Sequence, residues 1–409
     1  VTPARSALVA ALALYVATVA VAVILVPWDA AAAPWSDLAT DQIAAFTSDQ
    51  VAAVEAYVAD VWLPGVLAWL APAALALIVL FTPRARDALA RLGPKSRPFI
   101  ASTLATAALL AATRLVTLPF VLLVAQARRD HDLLVEPWSA WLLRWLGESA
   151  TFVAIGALGV GIALAILRRW PRRGWIALVG GAMIVAIVTS ALLPLMQRLE
   201  GTAADPALTA RVIATADRLG VDVGTVTVIE TADTSPALNA HVSGWGPTRA
   251  VTIYDTVTAS ASPAEVDALV AHELVHVREG DVALGTALAA LAAGGTAALA
   301  ASLLLSSRVR RWLGAKSAGD PRAIPLVIAI ALVASLVGSV GAVTVSRAIE
   351  VRADREAIAI TGDRQAYADL LTRLAVTNKS TLIPPRWRYA LLFTHPTPLQ
   401  RLEILDAAP

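Results

Sequence analysis

Cysteine is absent from all 409 residues, which excludes a disulfide framework, a thiolate nucleophile and any cysteine-ligated metal. A metal, if one is bound, must rest on nitrogen and oxygen. Charge is also scarce: charged residues make up 16% of the chain against 57% hydrophobic ones, too apolar for a soluble enzyme of this length and typical of a multi-span membrane protein. The formal net charge is only +2, so nothing points to nucleic acid as a partner. Histidine occurs five times, and two of the five stand together.

That pair lies in Ala-His-Glu-Leu-Val-His-Val-Arg-Glu-Gly-Asp, residues 271–281. His272 and His276 are four apart, which on a helix puts both imidazoles on one face, one turn apart, where two nitrogens can bind one metal ion. Glu273 lies about 100° round the helix from His272, able to reach a water on that metal without binding the metal itself. The helix is marked at its start by Ser262, Pro263 and Glu265, a capping box with proline in the first turn. Val266, Leu269, Val270, Leu274 and Val277 give it an apolar stripe, and Gly280 offers a break. The plain alternative is a buried histidine pair beside an incidental glutamate.

A catalytic zinc takes three protein ligands and keeps a position open for water. No third histidine follows closely, but Ser-Arg-Ala-Ile-Glu-Val-Arg-Ala-Asp at 346–354 places Glu350 and Asp354 on one helix face. Glu350 would bind the metal, and Asp354 would accept a hydrogen bond from a ligand histidine and fix its tautomer. The competing reading is a solvated helix with Glu350 paired to Arg347, or Asp354 to Arg352. With zinc in place, its bound water would have a pKa near 7, Glu273 would take the proton, and hydroxide would attack a peptide carbonyl.

Apolar runs long enough to cross a bilayer occur at about 8–26, 61–81, 100–124, 151–167, 175–195, 282–305 and 324–345, seven in all. The first is kept as a span and not a signal peptide, because 30–33 is a weak cleavage site. Residues 29–60 lack lysine and arginine, and Ile43, Phe46, Val51, Val54 and Val58 predict a helix lying on a surface. Arg84, Arg86, Arg91, Lys95 and Arg97 make the next loop basic. Arg114 sits inside the third run, which implies either a polar cavity or burial against carbonyls. Leu133, Leu134, Trp138, Trp141, Leu142 and Trp145 predict an interfacial helix with tryptophans at headgroup depth. Between 197 and 262 the composition turns polar, with a helix over 205–219 and strands over 225–231, 239–243 and 249–254. A small sheet just before the histidine helix can take an extended peptide on its edge. Helices over 363–376 and 396–405 close the chain.

The set Ser-Pro-Ala-Leu-Asn-Ala at 235–240, His-Glu-Leu-Val-His with Arg-Glu-Gly-Asp behind it, the 346–354 segment, and Thr-His-Pro-Thr-Pro-Leu-Gln-Arg-Leu at 394–402 resembles the integral-membrane zinc endopeptidases of the type I CAAX prenyl protease family. The resemblance implies a mainly α, polytopic membrane protein: a barrel of about seven transmembrane helices around an intramembrane chamber, with a zincin-like catalytic unit of the gluzincin type that contains a small β-sheet. It implies four stretches: a membrane region with five spans (1–196), a catalytic segment with the sheet and the His-Glu-x-x-His helix (197–281), the sixth and seventh spans (282–345), and a C-terminal catalytic segment with the third ligand (346–409). His272, His276 and Glu350 would match the ligands of one Zn2+, Glu273 the general base, and Asp354 the partner behind a ligand. Asn239 would match a substrate-backbone asparagine and His395 a late histidine that steadies the oxyanion. Arg401 occupies the family's arginine, placed with Asn239 on the substrate side without a firm chemical role. His241 stands where the family has an aromatic residue.

The implied partners are a peptide or protein substrate, lipid-modified in the CAAX case, and membrane lipid. Three lysines against many arginines, with abundant alanine, point to a high-GC bacterial source and a bacterial plasma membrane. In that setting a quality-control or regulatory protease on unprenylated substrates is the alternative, as is a zinc-binding sensor without turnover. A transporter would explain the spans and Arg114, but not the sheet, Asp354 or His395. Basic loops at 83–99, 168–173 and 307–322 place 197–281 outside by the positive-inside rule, whereas the resemblance implies a cytosolic catalytic face.

Overall fold

The computed structural model of the chain describes residues 2–29, 39–94, 96–244 and 249–407, with no side-chain description for 193–200 and 406–407. The stretch 30–33 and Lys95 lie outside the described residues.

Among the described residues, seven helices are long and apolar enough to cross a bilayer: α1 (Pro3–Leu25), α2 (Ser48–Phe81), α4 (Pro98–Asp130), α5 (Trp138–Arg169), α6 (Gly174–Glu200), α10 (Asp281–Leu305) and α12 (Ile324–Thr361). A short α3 (Pro83–Leu89) follows α2, and α11 (Ser307–Leu313) follows α10. Neighbouring spans pair as α2 with α4, α4 with α5, α5 with α6, α6 with α10, α10 with α12, and α12 with α2, so the series returns to its start. Helix α1 packs along α10. The seams of α10 with α6 and with α1 use small residues: a Cβ added at Gly294 would lie 2.9 Å from Met183 Cγ of α6, and one at Gly295 would lie 3.2 Å from the Tyr15 ring of α1. Without a hydrophobic drive between helices in lipid, such close approach is what gives them dispersion contact.

Two of the predicted surface helices are instead the opening turns of spans. Helix α2 begins at Ser48 under a Thr47–Gln50 capping box and runs on without a break, so Val51, Val54 and Val58 leave the membrane region and pack on the catalytic core. Ile43 lies in a short 3-10 helix (Thr40–Ala45), and Phe46 is buried beside it. The tryptophans of 138–145 likewise start α5, where Trp141 and Trp145 are buried with Leu134, so they belong to the opening turns of a span and not to a separate helix. Arg114 donates to Ser149 Oγ at 3.0 Å and faces the rings of Trp145 and Phe152.

The polar half between α6 and α10 holds β1 (Thr202–Ala203), α7 (Pro206–Leu219), β2 (Thr225–Ile229), β3 (Ala240–Ser243), β4 (Ala250–Tyr254), α8 (Asp255–Ser260) and α9 (Pro263–Arg278). The sheet order is β1-β2-β4-β3: β2 and β4 run parallel, with Val226 opposite Val251, and β3 runs antiparallel to β4, with His241 opposite Thr252. Strand β3 is therefore an edge. Its shortness and its position beside α9 make it the edge that faces the histidine helix. After α12 come α13 (Arg364–Thr377), α14 (Arg386–Leu392) and α15 (Pro398–Ala407). One apolar core joins α7, α9, α13, α15, the sheet and the last turns of α12, through Val212, Ile253, Leu274, Val351, Leu370 and Leu399.

Helix α12 positions everything else. Its 38 residues span about 57 Å at 1.5 Å per residue, while a bilayer core is about 30 Å thick. The surplus carries Glu350 and Asp354 out of the apolar stretch into the catalytic core without a loop in between. We expect Gly294→Leu to cost about 1–3 kcal/mol by forcing α10 off α6 and α1, seen as a lower midpoint of thermal unfolding in detergent.

Candidate active site

Helix α9 starts as its sequence requires. Glu265 Oε2 accepts from Ser262 N at 2.7 Å, Ser262 Oγ accepts from Glu265 N at 3.3 Å, and Pro263 fills the first turn. Arg373 of α13 donates to Glu265 at 2.7 Å and ties the start of α9 to the core. With that register, His272 and His276 project from one face.

Three ligand atoms converge there. His272 Nε2 lies 3.3 Å from His276 Nε2 and 3.2 Å from Glu350 Oε2, and His276 Nε2 lies 3.7 Å from Glu350 Oε1. A tetrahedral ion with zinc–nitrogen and zinc–oxygen bonds of about 2.0–2.2 Å sets its ligand atoms about 3.3 Å apart. The observed edges have that length, and the three residues form a group able to hold a metal ion. The chemistry of the donors agrees. Both Nδ1 atoms are engaged behind, so both Nε2 lone pairs face one point, and Glu350 Oε2 is buried without a hydrogen bond. A cation at that point satisfies all three.

Each imidazole is backed by an aspartate. His276 Nδ1 is 2.9 Å from Asp281 Oδ2, in the first turn of α10, and Arg352 in turn donates to Asp281 Oδ1. His272 Nδ1 is 3.0 Å from Asp354 Oδ1. Asp354 is fully buried and receives Tyr367 Oη at 2.7 Å, Arg401 Nη2 at 2.6 Å and Arg401 Nε at 2.9 Å. Burial disfavours a charge on His272, but the Asp354 and Glu350 carboxylates beside it outweigh that and push its pKa up to about 10. The carboxylates thus favour positive charge at this imidazole, which a proton or a divalent cation supplies. Burial and the Asp354 charge hold the Tyr367 hydroxyl well above its ordinary pKa, so it stays a donor.

A cavity of about 470 Å³ opens over this cluster, with Asn239, His272, Glu273, Glu350, His395 and Arg401 among its lining. Glu273 sits in its wall, and loss of hydration pushes its carboxyl up, against the pull of His272 and His276. Leu370, Leu371, Leu374 and Phe393 make the far wall apolar.

All eight residues singled out in the sequence are near this cavity or beneath it. His395 is exposed, with Nε2 3.4 Å from Glu350 Oε1 and Nδ1 2.8 Å from Thr394 Oγ1. Asn239 is exposed just ahead of β3, its carbonyl accepting from Tyr254 N at 3.0 Å. Arg401 lines the cavity and directs Nε and Nη2 at Asp354, because a wholly buried carboxylate needs a cationic partner. The ion pairs of Arg347 with Glu350 and of Arg352 with Asp354 are not what these arginines make in the hydrogen bonds described: Arg347 donates to the carbonyls of Tyr389 and Phe393, and Arg352 to Asp281. His241 packs edge-on to Tyr254, its Nε2 buried without a partner.

Sequence reasoning missed Tyr367 and Asp281. Asp281 lies five residues after His276, across the Gly280 break (φ 73°), where helical periodicity stops being a guide. Tyr367 comes from a different helix and carries no spacing signal.

Residues 202–408 match the family model described as Peptidase family M48. The chain is 23% identical over 302 residues to the uncharacterized metalloprotease YhfN of Bacillus subtilis (strain 168), covering 71% of this chain and 70% of that one. It is 33% identical over 138 residues to the protease HtpX homolog of Burkholderia mallei (strain SAVP1), covering 33% of this chain and 46% of the relative, so less than half of that protein is spanned. In fold it is similar to the crystal structure of S. mikatae Ste24p, with a TM-score of 0.78, 17% identity and 99% of each chain covered. The matched stretch takes in more than half of the chain and every residue gathered at the cavity, from Asn239 to Arg401; this chain therefore belongs to peptidase family M48, the zinc metallopeptidases, as a multi-pass integral membrane member.

Proposed function

We propose that the chain is an endopeptidase that holds one Zn2+ on His272, His276 and Glu350 and cuts polypeptides close to the bilayer surface. The observation that carries this is the convergence of the His272 and His276 Nε2 atoms and the two oxygens of Glu350, 3.2–3.7 Å apart, at the floor of a cavity that also exposes Glu273. A zinc ion held there would supply an acidified water and a Lewis acid for the scissile carbonyl. Glu273 receives the proton, and its raised pKa suits a group that must take a proton and return it to the leaving amine. His395, whose Nε2 lies 3.4 Å from Glu350 Oε1, would donate to the developing oxyanion. Asp354 and Asp281 hold the two imidazoles in the tautomer that turns Nε2 inward.

The substrate enters extended. Strand β3 is a free sheet edge leading from Asn239, and an added strand gains backbone hydrogen bonds along it. The apolar wall of Leu370, Leu371 and Leu374 favours a bulky apolar side chain beside the cut bond. The family resemblance brings with it a C-terminal, prenylated substrate; a membrane protease on unmodified segments uses the same groups.

The decisive experiment is metal analysis of purified protein together with hydrolysis of one peptide in prenylated and unprenylated forms. Zinc with cleavage of either form supports the proposal, and the ratio of the two rates says whether lipid contributes; zinc without any cleavage would leave a sensor. Glu273→Gln should retain zinc and lose about 10²–10⁴ in kcat. A normal rate in that variant would remove Glu273 from the role of base. Tyr367→Phe takes one donor from Asp354 and should weaken zinc about tenfold or more, measured by competition with a chelator.

A further inference from the structure

The membrane-proximal ends of this molecule differ in charge far more than a net +2 suggests. At the end remote from the zinc cluster, the connections α2–α4, α5–α6 and α10–α12 meet around Leu80, Leu167, Leu304, Leu313 and Ile324. They interlock: Arg322 Nε is 2.7 Å from Asp87, Arg168 donates to the Gly319 carbonyl, and Arg86 lies over the Trp312 ring. The start of α1 joins them, with Ser302 Oγ donating to the Ala4 carbonyl at 2.8 Å. Arg5 and the segments 82–97, 168–173 and 306–322, all at this end, hold fifteen of the chain's 33 lysines and arginines and only two of its 31 acids, Asp87 and Asp320.

The catalytic end is the reverse. Arg114 inside α4 aside, the rest of the chain carries seventeen lysines and arginines against the other 29 acids. Its short connections at 26–47 and 131–137 contain no lysine or arginine at all. Short loops are where the positive-inside bias acts, and every short loop here agrees with its neighbours on the same end. The anionic cytoplasmic leaflet attracts the basic end and repels the acidic one.

We infer that the basic end is cytoplasmic and that the cavity over His272, His276 and Glu350 opens on the opposite, non-cytoplasmic side of the membrane. Resting on the peptidase reading above, this names the substrate class: exported or membrane-tethered polypeptides whose cleavable segment is presented at the outer surface of the bilayer. Soluble cytoplasmic polypeptides are out of reach.

The lack of cysteine makes the test direct. Ser96→Cys marks the basic end, and Ser48→Cys and Ala259→Cys mark the catalytic end; all three positions are exposed and lie outside the catalytic machinery. Intact cells expressing each variant are treated with a membrane-impermeant maleimide, before and after permeabilisation, with total thiol measured after denaturation. The inference requires Ser48→Cys and Ala259→Cys to label in intact cells and Ser96→Cys to label only once the membrane is opened. The reverse pattern, labelling of all three in intact cells, or labelling of none would each overturn it. Labelling needs no turnover, so a failed topology and a failed peptidase assay on purified protein are separate results.

Discussion

The carboxylate of Asp354 is the contact on which the site depends. It is wholly buried, and it is joined by side chains from three other helices: His272 of α9, Tyr367 of α13 and Arg401 of α15. An unpaired carboxylate in that position would be very unfavourable, so the four helices are compelled to meet there with donors aimed inward. That meeting fixes the His272 ring, and with it one corner of the ligand triangle. The network is therefore structural and electrostatic at once, and neither function can be removed separately from the other.

The same logic explains why the site stands where the membrane ends. A helix leaving a bilayer can keep its backbone hydrogen bonds only by continuing as a helix or by finding new partners. Helix α12 continues, and the face it carries upward holds Arg347, Glu350 and Asp354 at i, i+3 and i+7. Helix α2 does the same from the other direction, bringing Val51 and Val54 to the underside of the catalytic core. The catalytic unit is thus built onto extensions of the spans, with no hinge of loop between chemistry and membrane at these two points.

How much of this was legible in the chain follows from the range of the signals. His272, Glu273 and His276 declare themselves because four residues is one helical turn, and the Ser262–Glu265 box marks where that turn is counted from. The seven spans were readable because an apolar run needs no context. Continuity was not: hydropathy detects the apolar middle of a helix and says nothing about whether 48–60 or 138–150 belongs to the same rod, so both were read as separate surface pieces. Arg401 and Tyr367 were hidden for a different cause. Their function is to satisfy a buried carboxylate on another helix, and such pairing leaves no periodic trace in sequence. Arg401 stood out through resemblance alone, which gave its position without its chemistry.

Arg347 shows how one helical face serves several ends. Its guanidinium, buried under the Tyr389 ring, donates to the carbonyls of Tyr389 and Phe393, the residues that close α14. The Tyr389 carbonyl also accepts from Phe393 N at 3.3 Å, and the Phe393 carbonyl lies just past the helix end, so the arginine ties the last turn of α14 to the chain beyond it and fixes the path of that chain. Two residues later that chain presents His395 to Glu350. One face of α12 therefore sets the segment carrying His395, the carboxylate beside it and the aspartate behind His272. Because Arg347, Glu350 and Asp354 rise from a single rigid rod anchored in the bilayer, their mutual distances are held by helix geometry and not by loop packing, which is what a site needing sub-ångström placement of its groups requires.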